Sequence, residues 1–176
     1  MPSSSSSSFL HRLLGRTDPR EALRPLYRAV VAEGRRPHWY VEGAVPDTLD
    51  GRFDMIVAIL SLALIRLEQL EARQESVWLT ELFVEDMDGQ LRQEGIGDVV
   101  VGKHVGRMMS ALGGRTGAYR MALNSGAALD ATLRRNLYRG APVSDAAVAH
   151  VEGALRALWA RLNGLTRDAL LAGDIG

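Results

Sequence analysis

The sequence MIVAILSLALI runs from Met55 to Ile65 and contains one polar residue, Ser61. A membrane-spanning helix needs roughly 20 apolar residues, which is more than this run provides before Arg66 ends it. A helix that is apolar nearly all round is typical of an element buried inside a bundle. We therefore predict a central helix over about residues 52–74, on which the rest of the chain packs.

Polar residues occur in the predicted central helix at a regular interval, namely Asp54, Ser61 and Glu68. Successive members of this set are two helical turns apart, so they lie on one face of the helix. We predict that these three residues, called the polar seam below, are the one polar strip of an otherwise apolar element. Asp47 or Asp50 is predicted to cap its start.

Further helix signals lie on both sides of the central helix. Asp18 and Pro19 are typical of a helix start, and the pattern after them predicts a helix that ends near Glu33. Pro25 predicts either a kink in that helix or a late start near Arg24. The other predicted elements are an ordered loop over residues 35–51 and helices over residues 127–138 and 145–172.

Strand-like alternation is confined to residues 99–101, so we predict an all-α, single-domain bundle of about seven helices. Composition divides the chain into three regions. Residues 1–8 are a serine tract that we predict to be disordered. Residues 9–16 form a short amphipathic segment, and residues 17–176 form the helical domain.

The segment over residues 9–16 is too short in its apolar part for a signal peptide. Two interpretations stay open: a helical turn that packs on the domain, or an anchor on a membrane surface. The candidate membrane-surface residues are the apolar Phe9, Leu10, Leu13 and Leu14 and the basic Arg12 and Arg16.

The formal net charge is zero, but the charges are unevenly placed along the chain. Residues 38–102 hold four basic residues against thirteen acidic ones, whereas residues 103–139 hold seven basic residues against one acid. Segregated charge steers partners, but general nucleic-acid binding needs a strongly basic domain. We therefore expect a protein-interaction surface and no general nucleic-acid binding.

Signatures of catalysis, cofactor binding and metal binding are absent from the sequence. No cysteine is present, which excludes disulfides, thiolate metal sites and cysteine nucleophiles. The Asp86–Gly89 run does not fit the spacing of a calcium loop, and the four histidines fit no zinc motif. The glycines of residues 95–98 and 113–117 lack phosphate-loop spacing and are interpreted as helix breaks. We expect no enzyme, cofactor or metal site.

The stretch from Trp78 to Tyr119 predicts two helices joined at Gly95-Ile96-Gly97. One face of the first helix carries Glu81, Glu85, Asp88 and Arg92. Asp86 instead lies in the apolar arc, where a charge needs a partner. We predict that it pairs with Lys103 or Arg107 of the next helix, either for structure alone or to orient a basic group on a binding surface.

Four stretches carry a family resemblance: FVEDMDGQLRQEGIGDVVVGKHV (83–105), ALGGRTGAY (111–119), VPDTLDGRFDMIVAIL (45–60) and LDATLRRNLYRG (129–140). Taken in their order along the chain, they resemble the ubiquinol–cytochrome c chaperone family. The motif residues singled out within or beside them are Asp86, Asp88, Arg92, Gly95, Gly97, Asp98, Lys103 and Arg107.

The resemblance implies a chaperone that binds newly made cytochrome b and promotes assembly of the cytochrome bc complex. It implies action in the cytoplasm or at the inner face of the cytoplasmic membrane, with the ribosome or the insertion machinery as further partners. The residues alone support an all-α module that binds a protein or lipid surface, and an enzyme within a helical bundle is the other alternative.

Interface hot spots are rich in arginine and tyrosine, and methionine adapts to varied apolar surfaces. The candidate partner-binding residues are therefore Arg115, Tyr119, Arg134, Arg135, Met108 and Met109.

Overall fold

The computed structural model describes residues 18–93, 98–125 and 129–176, and every regular element in these ranges is helical. A 3₁₀ turn over Pro19–Leu23 precedes eight α-helices. The helices are α1 (Arg24–Gly34), α2 (Pro37–Tyr40), α3 (Leu49–Gln69), α4 (Arg73–Gln93), α5 (Asp98–Asn124), α6 (Asp130–Asn136), α7 (Asp145–Gly164) and α8 (Arg167–Ala172). The all-α prediction is confirmed.

Helix α3 is the centre of the bundle, and α1, α4, α5 and α7 all pack on it. Every residue from Met55 to Ile65 is buried except Leu64, which is half-buried. The helix ends at Gln69 rather than near residue 74, because Glu71 takes a left-handed conformation with φ 56° and turns the chain. Its N-cap is Thr48, whose hydroxyl accepts a bond of 3.1 Å from the Gly51 amide, so the prediction of an aspartate cap is wrong.

The polar seam is confirmed, and it faces α5. Asp54 binds Arg115, Ser61 Oγ lies 3.0 Å from Thr116 Oγ1, and Glu68 binds Arg120. These contacts fix the register of α3 against α5. Asp54 and Ser61 are buried, and their partners on the facing helix offset the cost of burying them, whereas the pair of Glu68 with Arg120 is exposed.

The remaining helix boundaries agree with the prediction in part. Pro25 delays the α-helix, which begins at Arg24 after a 3₁₀ turn capped by Asp18, as the late-start alternative predicted. The predicted loop contains the short helix α2. The predicted last helix is divided at Leu165, after which the Thr166 hydroxyl caps α8. The short helices α2 and α8 explain why the described ranges contain more helices than the seven that were predicted.

Helix α5 is continuous through Gly113, Gly114 and Gly117, so their interpretation as helix breaks is wrong. A glycine inside a helix costs only about 1 kcal/mol relative to alanine, and packing on α3 and α4 outweighs that cost. Gly95 and Gly97 lie outside the described residues. Residues 99–101, the stretch with strand-like alternation, have helical backbone.

In the described ranges, no helix is both long enough and apolar enough to cross a membrane. The eleven-residue apolar run of α3 is therefore used for the interior of the bundle, as its length predicts.

Candidate functional site

A groove of about 550 Å³ opens between the first half of α3, the end of α4 and the middle of α5. Its volume lies within the range of about 300–1,000 Å³ that is usual for binding sites. An apolar floor and a rim of five arginines distinguish it, and we call it the arginine-rimmed groove. The rim residues are Arg35, Arg52, Arg107, Arg115 and Arg139.

The floor of the arginine-rimmed groove comes from three helices. Ile56 of α3 and Met87 of α4 are buried, whereas Phe53 of α3 and Met108 of α5 are half-buried and remain accessible. Leu49 lies at the groove as well and is 60% exposed. Flexible methionines beside an aromatic ring form a surface that can adapt to more than one apolar partner.

Two of the rim arginines are held by one buried carboxylate. Asp54, 1% exposed, accepts bonds from Arg115 Nη1 at 2.5 Å and from Arg139 Nε at 2.6 Å. Arg139 also binds Asp50 at 2.8 Å, and the Arg115 guanidinium lies 5.9 Å from the centroid of the Phe53 ring. The hydrogen bond to Asp54 raises the pKa of Arg139, so that this guanidinium stays charged. These two arginines are fixed in place and largely neutralised.

The other rim arginines are more exposed. Arg52 pairs with Asp47 at 2.6 Å, with both side chains 58% exposed. Arg35, at the end of α1, and Arg107, on α5, are exposed and have no ion-pair partner within the part of the chain that the structure describes. The groove therefore has uncompensated positive charge from two different elements.

Comparison with known proteins decides the family. The model of the family described as ubiquinol–cytochrome C chaperone matches residues 42–175. The chain belongs to the ubiquinol–cytochrome c chaperone family. Among solved structures it is similar to the crystal structure of the Cbp3 homolog from Brucella abortus, with a TM-score of 0.75 and 31% sequence identity over 89% of this chain and 88% of that chain. No curated protein matches significantly.

The family-like motif residue Asp86 lies elsewhere than predicted. Its carboxylate accepts a bond of 2.6 Å from the Tyr27 hydroxyl of α1. The prediction of a pair with Lys103 or Arg107 is wrong, since this face of α4 packs on α1 rather than on α5. Burial, together with the bond to Asp86, raises the pKa of Tyr27, so the phenol remains the donor.

The other motif residues of this chaperone family member have local roles or no described side chain. Asp88 and Arg92 form an i,i+4 pair at 2.8 Å on the exposed face of α4. Asp98 begins α5, and Lys103 is exposed on the same helix. The candidate membrane-surface residues, Phe9, Leu10, Arg12, Leu13, Leu14 and Arg16, lie outside the described ranges.

The four candidate partner residues of the basic stretch are placed differently from one another. Tyr119 is 1% exposed, and its burial raises the pKa of its hydroxyl. Arg115 is turned toward Asp54. Arg134 binds Asp130 at 2.9 Å and Asp145 at 2.6 Å, near the start of α7, and Arg135 is exposed. A role of these residues in partner binding stays a prediction.

Met108 and Met109 are neighbours in sequence but line different grooves. Met108 lies in the arginine-rimmed groove, and Met109 lines a groove of about 880 Å³ with Val77 and Leu112. Of the groove residues described above, sequence reasoning missed seven as site residues: Arg35, Leu49, Arg52, Phe53, Ile56, Met87 and Arg139. Phe53 and Met87 lie within the family-like motifs, but only the packing of α3 on α4 and α5 brings them together.

Two histidines also come together unexpectedly. His38 Nδ1 lies 3.1 Å from His150 Nε2, although they are 112 positions apart in sequence. In the described ranges, no group of three His, Cys, Asp or Glu side chains is placed to hold a metal ion. The pair therefore connects α2 to α7, with one ring donating to the other.

Proposed function

We propose that this protein is an assembly chaperone of the ubiquinol–cytochrome c reductase complex and that it binds newly made cytochrome b. The observation that carries the proposal is the family match over residues 42–175, which includes the helices α3, α4 and α5 that form the arginine-rimmed groove. The similarity to the Cbp3 homolog over most of both chains supports the same function.

The groove offers the kind of surface that this function requires. Cytochrome b is a membrane protein, so its apolar helices need shielding before they are assembled. An adaptable floor that contains Phe53 and Met108 can bind an apolar helix face, and the arginine rim can select the polar residues beside that face.

The chaperone would act where cytochrome b is inserted, in the cytoplasm and at the inner face of the cytoplasmic membrane. The ribosome or the insertion machinery would then be further partners. The segment over residues 9–16 would supply a peripheral membrane contact. Flotation of the full chain with liposomes, compared with a chain lacking residues 1–16, tests that contact separately from partner binding.

Co-purification of cytochrome b with a tagged chain tests the main proposal. Leu49→Asp places a charge at the mouth of the groove, at an exposed position in the first turn of α3 where an acid is compatible with the helix dipole. We expect this variant to recover about fivefold less cytochrome b, equivalent to loss of a contact worth about 1 kcal/mol.

Val41→Asp is the matched control, since Val41 is 73% exposed and lines neither the arginine-rimmed groove nor the groove that contains Met109. It should recover as much cytochrome b as the wild-type chain. If the folded wild-type chain recovers no cytochrome b, the proposed function is wrong. If Leu49→Asp and Val41→Asp recover it equally well, the groove is not the binding surface.

A further inference from the structure

We infer that the arginine-rimmed groove recognises an amphipathic helix whose apolar face is flanked by acidic side chains. The inference rests on the proposed function and names the chemistry of the segment that the groove takes. It starts from the charges of the described residues, which are not balanced around this groove.

The positive charge that lacks an acidic partner lies on Arg35 and Arg107. Arg115 and Arg139 share Asp54, with Asp50 as a further partner of Arg139, and Arg52 pairs with Asp47. These acids are therefore already engaged by the other arginines. Within the described ranges neither Arg35 nor Arg107 has an acidic partner, and both are exposed at the groove. A ligand with two or more carboxylates would compensate them.

The apolar floor of the groove favours a helix face over a compact anion. Phe53 and Met108 lie at the floor, and Leu49 extends the apolar surface outward at 60% exposure. A helix in a groove is held by apolar anchors at positions i, i+3, i+4 and i+7. Acidic residues beside that stripe would then reach the arginines of the rim.

This chemistry also restricts which part of a membrane protein can be recognised. Carboxylates are costly in the hydrocarbon core of a bilayer, so the acidic residues of the partner lie outside it. The recognised segment is therefore an amphipathic helix or a helix end that stays on the chaperone's side of the membrane. A whole membrane-spanning helix would instead need an apolar surface of about 30 Å.

The test uses two fluorescent peptides of about four helical turns with the same leucine stripe. One peptide carries glutamate on both flanks of the stripe, and the other carries glutamine there. At low ionic strength we expect the full chain to bind the acidic peptide at least about tenfold more tightly. The preference should shrink as salt is added, since the ion pairs lie at an exposed rim.

The double variant Arg35→Gln/Arg107→Gln should bind the two peptides with affinities within about twofold of each other, because the uncompensated charges are gone. Arg161→Gln is the control, since Arg161 is exposed on α7 and lines neither the arginine-rimmed groove nor the groove that contains Met109, and it should keep the preference. All three positions are exposed, and circular dichroism checks that each variant is folded.

Equal binding of both peptides by the wild-type chain overturns the inference, as does an undiminished preference in the double variant.

Vesicles that contain phosphatidylglycerol are the competing probe. If they bind through Arg35 and Arg107 and displace the acidic peptide, the groove is a lipid site and the inference is wrong. If the wild-type chain recovers cytochrome b but shows no peptide preference, only this inference fails. If the preference holds without recovery of cytochrome b, the proposed function fails and the chemistry of the groove stands.

Discussion

At Asp54, one buried carboxylate serves two arginines from different parts of the chain. Arg115 comes from α5 and Arg139 from the connection that follows α6, and both reach a side chain that is 1% exposed. A buried charge without partners would be costly, and two guanidiniums together offset that cost. The same contacts shape one wall of the arginine-rimmed groove, so stability and site geometry depend on one residue.

We predict that Asp54→Asn lowers the free energy of unfolding by about 3–5 kcal/mol, because it leaves two arginines without their shared partner. The loss should lie toward the lower end, since Arg139 is 48% exposed and can be solvated. Urea denaturation measures it. The control is Asp47→Asn, which breaks an exposed pair with Arg52 and should leave the free energy of unfolding nearly unchanged. Equal losses in the two variants would contradict the buried network.

The His38–His150 pair predicts a pH dependence of stability. Desolvation lowers the pKa of His38 below its ordinary value of 6.5, with further contributions from Arg36 and from His150, while Glu33 and Glu42 oppose them. The unfolded chain therefore binds more protons than the folded one just below pH 6.5. The contribution of neutral His38 to the free energy of unfolding is therefore complete above pH 6.5. It is lost as the pH falls through the lowered pKa of His38.

Urea midpoints measured between pH 7.5 and 5 should therefore fall for the wild-type chain and fall less for His38→Gln. The glutamine can keep a hydrogen bond to His150 but does not titrate, so the difference between the two profiles isolates the histidine. Parallel profiles over the whole range would show that the pair does not control this dependence.

At the scale of the elements, α3 was the most predictable helix and α5 the least. Eleven consecutive residues of α3 with one polar member predict burial directly, and the polar seam even predicts where a partner helix must supply polar groups. Helix α5 has weak signals because its glycines resemble breaks. Its helical state is decided by packing on α3 and α4, which a local pattern does not contain.

We predict opposite effects for two glycine substitutions in these helices. Gly114→Ala should stabilise the protein by about 0.5–1 kcal/mol, since a Cβ at this position of α5 meets nothing within 4 Å and alanine reduces the entropy lost on folding. Gly51→Ala should destabilise it, because a Cβ there would lie 1.9 Å from the Pro46 carbonyl oxygen. Thermal unfolding measures both, and a loss of stability in Gly114→Ala would show that this face of α5 is covered.

For the whole molecule, charge blocks along the sequence predicted a bipolar surface, and the structure shows how acidic and basic blocks meet. Arg20 contacts Glu81 and Glu85, and Arg120 contacts Glu68 across the bundle. Composition could identify the blocks but not their pairing, which depends on the packing of distant helices. The arginine-rimmed groove could not be predicted from the sequence for the same reason, since Arg35 and Arg107 line one cavity only in the folded chain.

The C-terminal end of the described chain is part of the core, although the sequence presents it only as the end of a long helix. Leu170 is fully buried and Ile175 is 2% exposed. Gly173 takes a left-handed conformation with φ 86° and packs so closely on α1 that a Cβ there would lie 2.8 Å from the Pro25 carbonyl oxygen. An ion pair between Arg167 and Glu75 ties the same segment to α4.

Removal of residues 166–176 should therefore weaken the whole bundle rather than shorten it. Full burial of Leu170 and Ile175 contributes about 1.5–3 kcal/mol each, and the sum is a large part of a typical total stability of about 5–15 kcal/mol. We expect the midpoint of thermal unfolding to fall by roughly 6–24 °C, at about 2–4 °C per kcal/mol for a chain of this size. Deletion of the exposed Gly176 alone is the control and should leave the midpoint unchanged.

The truncation should also weaken binding at the arginine-rimmed groove. Pro25 lies at the start of α1 and Arg35 directly follows its end, so loosening α1 displaces Arg35. A truncated chain that unfolds at the full-length midpoint would show that α8 is not a part of the cooperative core.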